Sequence, residues 1–174
     1  MHIPTHLMSG WCVGAALPLT ARERAACMAV ATLPDLDGLS LAFGRDAYER
    51  WHHVIGHNVF AGVLLAAGGA MMARASIRGR FFCLGLVLFH LHLLMDFYGS
   101  GPGWQIHYGW PITNRGLWTE DAWEFGAWQN YAAMLGLLVV SIALAVWKRI
   151  TPFELIAPGI DSDWRRLMHY VRGS

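Results

Sequence analysis

The chain alternates between long apolar stretches and short polar ones, and the apolar stretches have the lengths of helices. They occupy residues 5–17, 21–33, 57–73, 81–97 and 131–147. The last three are apolar on all sides, which is typical of helices that face lipid or lie deep in a core. Each is slightly shorter than the roughly 20 residues that cross a bilayer without tilt. The pattern predicts an all-α, membrane-embedded bundle of about five helices.

The connections arrange these helices as two hairpins followed by a last transmembrane helix. Short turns near Thr20 and Ile77 join the first segment to the second and the third to the fourth. Beyond the fifth segment, Ser162 is a candidate cap for an amphipathic helix in which Trp164 and Leu167 share a face. Such a helix suits an anionic membrane surface, and a frayed tail is the alternative. We therefore predict one helical membrane domain over residues 1–150 and a tail over residues 151–174.

The composition supports a membrane environment and excludes some other classes. Hydrophobic residues make up 55% of the chain and charged residues 14%, whereas soluble domains are about a quarter charged. No basic run interleaved with aromatic residues indicates nucleic acid as a partner. Cys12, Cys27 and Cys83 form no CxxC pair, which argues against a thiolate zinc site and favours buried structural cysteines.

Charge is distributed unequally between the two ends of the predicted helices. The loops at one end carry Arg22, Arg24, Arg74, Arg78, Arg80, Lys148 and Arg149. The other end is mainly acidic and includes Asp35, Asp37, Asp46, Glu49, Asp96, Glu120, Asp121 and Glu124. Because short cytoplasmic loops carry an excess of Lys and Arg, we expect the arginine-rich end to face the cytoplasm. The acidic end then faces the non-cytoplasmic side.

Histidine and aspartate residues concentrate at the acidic end of both hairpins. His57 lies twenty residues before Ile77 and Asp96 nineteen after it, so the two should stand level in an antiparallel pair. His6 and Asp35 are related in the same way about Thr20. His92 lies one helical turn from Asp96, on the same face. The candidate metal ligands are therefore His6, Asp35, Asp37, His52, His57, His92 and Asp96.

These residue types point to a divalent metal ion. Ionisable groups beside membrane spans are costly and usually functional, and crowded carboxylates repel one another unless a cation neutralises them. Imidazole and carboxylate ligands without thiolates suit zinc first, with manganese, iron or nickel as alternatives. Seven candidates exceed the four ligands of a single zinc ion, so one or two ions are expected. Of the neighbours His52 and His53, we expect one to support the ligands from outside.

The segment between the fourth and fifth helices is rich in tryptophan and glycine. Its tryptophans fit an interfacial aromatic belt or, alternatively, the wall of a pocket above the ligands: Trp104, Trp110, Trp118, Trp123 and Trp128. Glu124, like Asp37, is a candidate general base. We expect His2 to be solvated and His90 to point to a different helix face from His92.

Together these motifs are similar to those of a known family. They are His6, Pro34-Asp35-Leu36-Asp37, His52 with His57-Asn58, His92-Leu93-Leu94-Met95-Asp96 and Gly109-Trp110-Pro111. With them, residues 2–147 resemble the bacterial membrane-bound, metal-dependent hydrolases known as predicted inner-membrane hydrolases. Two positions differ, since His53 stands where that family usually has Arg and Asn58 where it has Ser. The ligand order is also distantly similar to that of zinc-dependent phospholipase C, whose His-x-x-x-Glu is absent here.

The resemblance implies a multi-pass protein of the bacterial inner membrane that hydrolyses an ester or phosphoester with the help of metal. The bilayer makes a lipid or lipid-linked compound the first candidate substrate, with a small molecule as the other. A membrane protein that binds metal without catalysis is an alternative. A haem protein with two axial histidines is a third hypothesis, which the neighbouring aspartates disfavour.

Overall fold

The computed structural model describes residues 1–173, so the predicted tail over 151–174 is described as far as Gly173, without the side chain of Arg172 or any part of Ser174. The described residues form seven α-helices. They are α1 (Ile3–Ala16), α2 (Ala21–Thr32), α3 (Arg45–Trp51), α4 (Val59–Met72), α5 (Arg78–Gly99), α6 (Trp128–Lys148) and α7 (Pro158–Gly173). Two 3-10 helices, Leu33–Phe43 and Ala75–Ile77, lie between them. The prediction of an all-α bundle is confirmed, and the five predicted segments correspond to α1, α2, α4, α5 and α6.

Three helical stretches are long and apolar enough to cross a membrane, namely Ala21–Phe43, Ala75–Gly99 and Trp128–Lys148. The last two contain the fourth and fifth predicted segments. The first exceeds the predicted segment because a 3-10 helix extends α2 to Phe43. By contrast, α4 has 14 residues, which is shorter than the predicted segment and than a full membrane crossing.

The 3-10 extension of α2 follows from the local sequence. Pro34 has no N–H to donate to the carbonyl four residues before it, so an α-helix is not easily continued. Leu33 still donates its N–H to the Ala29 carbonyl, and the chain then winds more tightly as far as Phe43. Asp35 and Asp37 therefore follow directly after α2, within one uninterrupted helical stretch, Ala21–Phe43.

Small residues allow the helices of each hairpin to approach closely. A Cβ atom at Gly10 of α1 would lie 2.6 Å from the Cys27 carbonyl oxygen of α2. A Cβ atom at Gly62 of α4 would lie 2.5 Å from the ring of Phe89 on α5. Such contacts are typical of helix pairs in membranes, where small residues let backbones pack against each other. The two hairpins meet through a core that includes Val30, Cys27 and Phe89.

Hydrogen bonds and ion pairs hold the arginine-rich loops together at one end of the bundle. Thr20 and Glu23 form a reciprocal capping box that begins α2. The buried Glu23 carboxylate also accepts bonds from Arg74, at 2.8 Å from Nε and 3.0 Å from the backbone N–H. Arg24 pairs with Glu154 at 2.5 Å, which connects α2 to the loop after α6. The histidine- and aspartate-rich segments therefore lie at the opposite end.

The tail helix differs from its predicted form at its start. It begins at Pro158, and Ser162 lies inside it, donating to the Gly159 carbonyl at 2.8 Å, so the prediction that Ser162 caps the helix is wrong. Trp164 donates its indole N–H to the Ala145 carbonyl of α6 at 3.1 Å. One face of α7 thus packs on α6. Among the cysteines, Cys12 and Cys27 are buried as expected, whereas Cys83 is exposed.

Candidate metal centre

Five side chains from four separate parts of the chain converge at the acidic end of the bundle. His6 lies in α1, Asp35 in the 3-10 helix, His57 before α4, and His92 and Asp96 on α5. The three histidines and Asp96 are each at most 2% exposed. Asp35 is the least buried member of the group, with a side chain that is 10% exposed. Such depth is unusual for ionisable groups without compensating charge.

The nitrogen–oxygen distances within this group are similar to those between ligands of a metal ion. Asp96 Oδ2 lies 3.0 Å from His92 Nε2 and 3.2 Å from His57 Nε2, and Asp96 Oδ1 lies 3.1 Å from His6 Nε2. Asp35 carboxylate oxygens lie 3.7–3.8 Å from the same three nitrogens. Two ligands about 2.0–2.1 Å from a tetrahedral ion stand roughly 3.4 Å apart. The predicted level pairs, His57 with Asp96 and His6 with Asp35, are confirmed.

Hydrogen bonds at the far side of two imidazoles orient them toward the centre. His92 donates from Nδ1 to the Ala31 carbonyl of α2 at 2.8 Å, which directs Nε2 inward. His57 donates from Nδ1 to Asp37 Oδ2 at 2.9 Å. A ligand histidine usually makes such a bond, because it sets the tautomer and the ring orientation.

Asp37 lies behind the group of five. Its Oδ1 accepts a bond of 2.7 Å from His52 Nδ1, and its Oδ2 accepts bonds from His57 and, at 3.0 Å, from the Gly56 N–H. Gly56 is required here, because a Cβ atom would lie 2.0 Å from the Pro34 carbonyl oxygen. Asp37 and His52 therefore form a supporting layer around His57, and their direct binding of metal stays a prediction.

His53 also belongs to the centre, although the sequence indicated only that His52 or His53 supports it. Its ring is 2% exposed and lies 4.4 Å from that of His57, measured between ring centroids. The residues able to hold an ion fall into two groups: His6, Asp35, His92 and Asp96 in one, and His53, His57 and Asp96 in the other. The signal that could have singled out His53 is its place in a run of three histidines within six residues.

Several buried polar atoms in the centre have no hydrogen-bond partner among residues 1–173. They are His6 Nδ1, Asp35 Oδ2 and His53 Nδ1. Burial by itself lowers the pKa of His57, but hydrogen bonds to Asp37 and Asp96 outweigh it and raise that pKa to about 9. The carboxylates thus favour positive charge at the centre. Unpartnered atoms, negative surroundings and nitrogen and oxygen ligands together fit a divalent cation.

A cavity of about 630 Å³ opens beside the centre. Its polar wall contains Asp35, Tyr48, His52 and His53, and Trp104 covers them, with its ring 5.5 Å from that of His52. The opposite wall is apolar and contains Ile3, Leu36, Leu39 and Phe125. Trp104 is therefore a pocket residue, whereas Trp118 and Trp128 are 51% and 73% exposed, in keeping with an aromatic belt.

Other residues considered from the sequence lie apart from the ligand groups. Glu124 is exposed in the loop before α6, so its role as general base stays a prediction. His90 contacts the Leu86 carbonyl and the Tyr108 hydroxyl, away from the centre as expected. His2 is not fully solvated, since its ring packs 4.3 Å from that of Phe125.

Comparison with known proteins identifies a family but no activity. No curated protein and no solved structure matches this chain. The family model described as YdjM inner membrane protein matches residues 1–158, which contain the hairpins, the metal centre and all three candidate spans. The likeness to hydrolases and to phospholipase C stays a prediction. The match covers most of the chain, and the chain therefore belongs to the YdjM inner membrane protein family.

Proposed function

We propose that this protein is a membrane-bound, metal-dependent hydrolase that cleaves an ester or phosphoester carried by a lipid. One observation carries the proposal: three inward-facing imidazole nitrogens lie 3.0–3.8 Å from oxygens of two carboxylates, beside an open cavity. A purely structural ion is usually enclosed by its ligands, whereas a catalytic ion keeps a position open to substrate. Here Asp35 belongs both to the ligand group and to the cavity wall.

His6, Asp35, His92 and Asp96 are the residues that would hold the ion, and His57 Nε2 lies 3.1–3.8 Å from the last three of them. Neutral imidazoles and carboxylates suit zinc best and also accept manganese, iron or nickel. When bound, such an ion supplies Lewis-acid polarisation of a carbonyl or phosphoryl oxygen and acidifies water. Asp37 and the Ala31 carbonyl hold the imidazoles of His57 and His92 in the tautomer that directs Nε2 toward the centre.

Proton transfer is assigned to His52, with Asp37 as its positioning residue. Because His52 Nδ1 donates to Asp37, the lone pair of the neutral ring lies on Nε2. The ring lines the cavity, and its side chain is 14% exposed. His52 can therefore take a proton from attacking water and return it to the leaving group, while the Asp37 carboxylate stabilises the imidazolium. Asp37 thus acts through His52, and Glu124 is the second candidate base.

The shape of the cavity supports an amphiphilic substrate. Leu36 and Leu39 are 53% and 66% exposed, yet they adjoin carboxylates of the centre. A second, apolar groove of about 610 Å³ lies along the same 3-10 helix and is lined by Leu33, Phe43 and Leu64, among others. Both cavities adjoin a stretch long and apolar enough to span the bilayer. A substrate with its ester group at the centre and its apolar chain along these leucines matches both the polar and the apolar wall of the cavity.

Binding of metal without catalysis is the second candidate function. The buried ligand set supports it as much as it supports hydrolysis. Haem is less compatible, because His57 Nε2 and His92 Nε2 lie only 3.1 Å apart. Two metal–imidazole bonds of about 2.0–2.1 Å each would separate axial nitrogens by roughly 4 Å across the porphyrin. Asp96 also lies directly beside both rings.

The test is hydrolysis by purified protein in detergent, after removal of metal with a chelator and reloading with zinc or manganese. Substrates are matched fluorogenic phosphoesters and acyl esters with short and long alkyl chains. We expect turnover only after reloading and faster turnover of the long-chain compounds. Asp96→Asn, of nearly unchanged shape, should remove turnover, while the exposed loop variant Asp121→Ala should retain it. Tight zinc binding without turnover of any substrate would favour the non-catalytic candidate.

A further inference from the structure

The backbone at His53 is unusual. Its φ of 63° lies in the left-handed region, which few residues other than glycine adopt. In extended chain, neighbouring side chains point to opposite sides. At this position the rings of His52 and His53 instead lie side by side, with centroids 4.3 Å apart. A disfavoured conformation of this kind persists when the surroundings impose it, and it is common at functional sites.

The buried ring of His53 is incompletely satisfied. Its Nδ1 has no hydrogen-bond partner among the residues that the structure describes. Other histidines of the chain use the same atom, since His92, His90 and His107 place Nδ1 within 2.7–3.1 Å of a backbone carbonyl. His6 Nδ1 shares the unpartnered state and belongs to the first ligand group. An imidazole that only filled the core would be expected to bond a carbonyl.

The two carboxylate oxygens of Asp96 contact different histidines. Oδ1 lies near His6, and the N-terminal ammonium group of Met1 and the Ser100 hydroxyl also contact it. Oδ2 lies near His57 and His92. The ligand atoms of His53, His57 and Asp96 lie within 4.8 Å of one another, and Asp96 is the member that this group shares with the first.

We propose that His53, His57 and Asp96 form a second cation site, so that Asp96 bridges two divalent ions. This inference rests on the metal centre of the proposed function and specifies its composition. Paired ions that share a carboxylate stand about 3.5–4 Å apart and clamp both the attacking and the leaving oxygen of a phosphoester. The substrate class that makes fullest use of such a pair is a phosphoester. His53 contributes a ligand whose Nδ1 is otherwise unpartnered.

The test counts ions, independently of turnover. Protein purified in detergent is treated with a chelator to remove bound metal, loaded with zinc and then separated from unbound zinc. The zinc content per chain is measured by elemental analysis. His53→Gly removes the ligand and accepts the left-handed backbone, so the fold is retained. We expect two zinc ions in the natural chain and one in His53→Gly. His90→Gly, on exposed α5 surface, is the matched control for zinc content, and circular dichroism compares the helix content of both variants.

Loading with manganese gives a second readout. Two ions bridged by Asp96 should show a spin-coupled pair by electron paramagnetic resonance, and His53→Gly should show an isolated ion. One ion in the natural chain, or two in His53→Gly, would overturn the second site. If the natural chain binds one ion and still hydrolyses its substrates, the second site fails and the proposed function stands. If the natural chain binds two ions but hydrolyses none of the substrates, the second site is supported and the proposed function fails.

Discussion

His57 Nε2 and His92 Nε2 lie 3.1 Å apart within the buried candidate metal centre, although 35 residues separate them in the chain. The two rings reach this point by different routes, one from the loop before α4 and the other from within α5. Each is directed by a bond at its Nδ1, to Asp37 and to the Ala31 carbonyl respectively. The centre therefore depends on supporting bonds as much as on its ligands, and this dependence can be tested.

Replacement of Asp37 should weaken metal binding without abolishing it. In Asp37→Asn, His57 loses the carboxylate that orients it, and loss of such partners typically reduces metal affinity by about 10–100-fold. Competition with a fluorescent zinc chelator measures the affinity, and Asp96→Asn provides the comparison for a direct ligand. Complete loss of zinc from Asp37→Asn would show that Asp37 binds metal itself, as the sequence predicted.

Replacement of His52 should affect turnover far more than metal content. His52→Gln keeps the size and polarity of the side chain but cannot exchange a proton near neutral pH. We expect kcat to fall by about 10²–10⁴-fold, the range typical of a lost general acid or base. His107→Gln, at a partly buried loop position outside both ligand groups, serves as the control. A proportional loss of zinc would identify His52 as a ligand instead.

Close helix contacts make some glycines intolerant of even one added carbon. In Gly10→Ala, the new Cβ would lie 2.6 Å from a backbone oxygen of α2, so the hairpin must separate. Overpacking of this kind costs about 1–3 kcal/mol of unfolding free energy. In Gly68→Ala the Cβ meets nothing within 4 Å, and the higher helix propensity of alanine predicts unchanged or greater stability. Thermal unfolding in detergent compares the two; equal melting temperatures would contradict the close packing of α1 on α2.

The buried carboxylate of Glu23 should stabilise the arginine-rich end. Glu23→Gln retains a capping residue for α2 but removes the charge that Arg74 contacts. Because the Arg74 side chain is 51% exposed, we expect a loss of only about 1–2 kcal/mol, below that of a fully buried pair. Arg45→Ala breaks the exposed pair with Glu49 and should cost less than about 1 kcal/mol. Chemical or thermal unfolding measures both, and equal losses would show that burial of Glu23 adds nothing.

The orientation in the membrane predicted from the arginine-rich loops can be tested by labelling. In a variant with Cys12, Cys27 and Cys83 changed to serine, a single cysteine replaces Arg78 or, separately, Thr113. A membrane-impermeant maleimide applied to intact cells should label Thr113→Cys, whereas Arg78→Cys should react only after the membrane is opened. The reverse result would place the metal centre on the cytoplasmic side.

Periodicity and spacing along the chain were sufficient to predict the bundle and the level at which its ligands meet. Helix geometry is regular, so equal distances from a turn imply equal height, and His57 does lie beside Asp96. Local sequence also determines the cap of α2, because Thr20 and Glu23 need only each other's backbone. The extension of α2 as a 3-10 helix was not predicted, since Pro34 ends an α-helix without specifying the conformation of the residues after it.

Only the tertiary structure determines which histidines and aspartates belong to the ligand groups and which of them support those ligands. Asp35 and Asp37 are two residues apart and chemically alike, yet Asp35 belongs to a ligand group and Asp37 supports it. The reason is that Gly56 packs against Pro34 and donates its N–H to Asp37. His52 and His53 are likewise neighbours whose roles depend on one left-handed residue and on rings from other segments. Sequence alone determined that these groups gather at one end, because helices hold a regular rise; which of them faces the ion depends on contacts between segments distant in the chain.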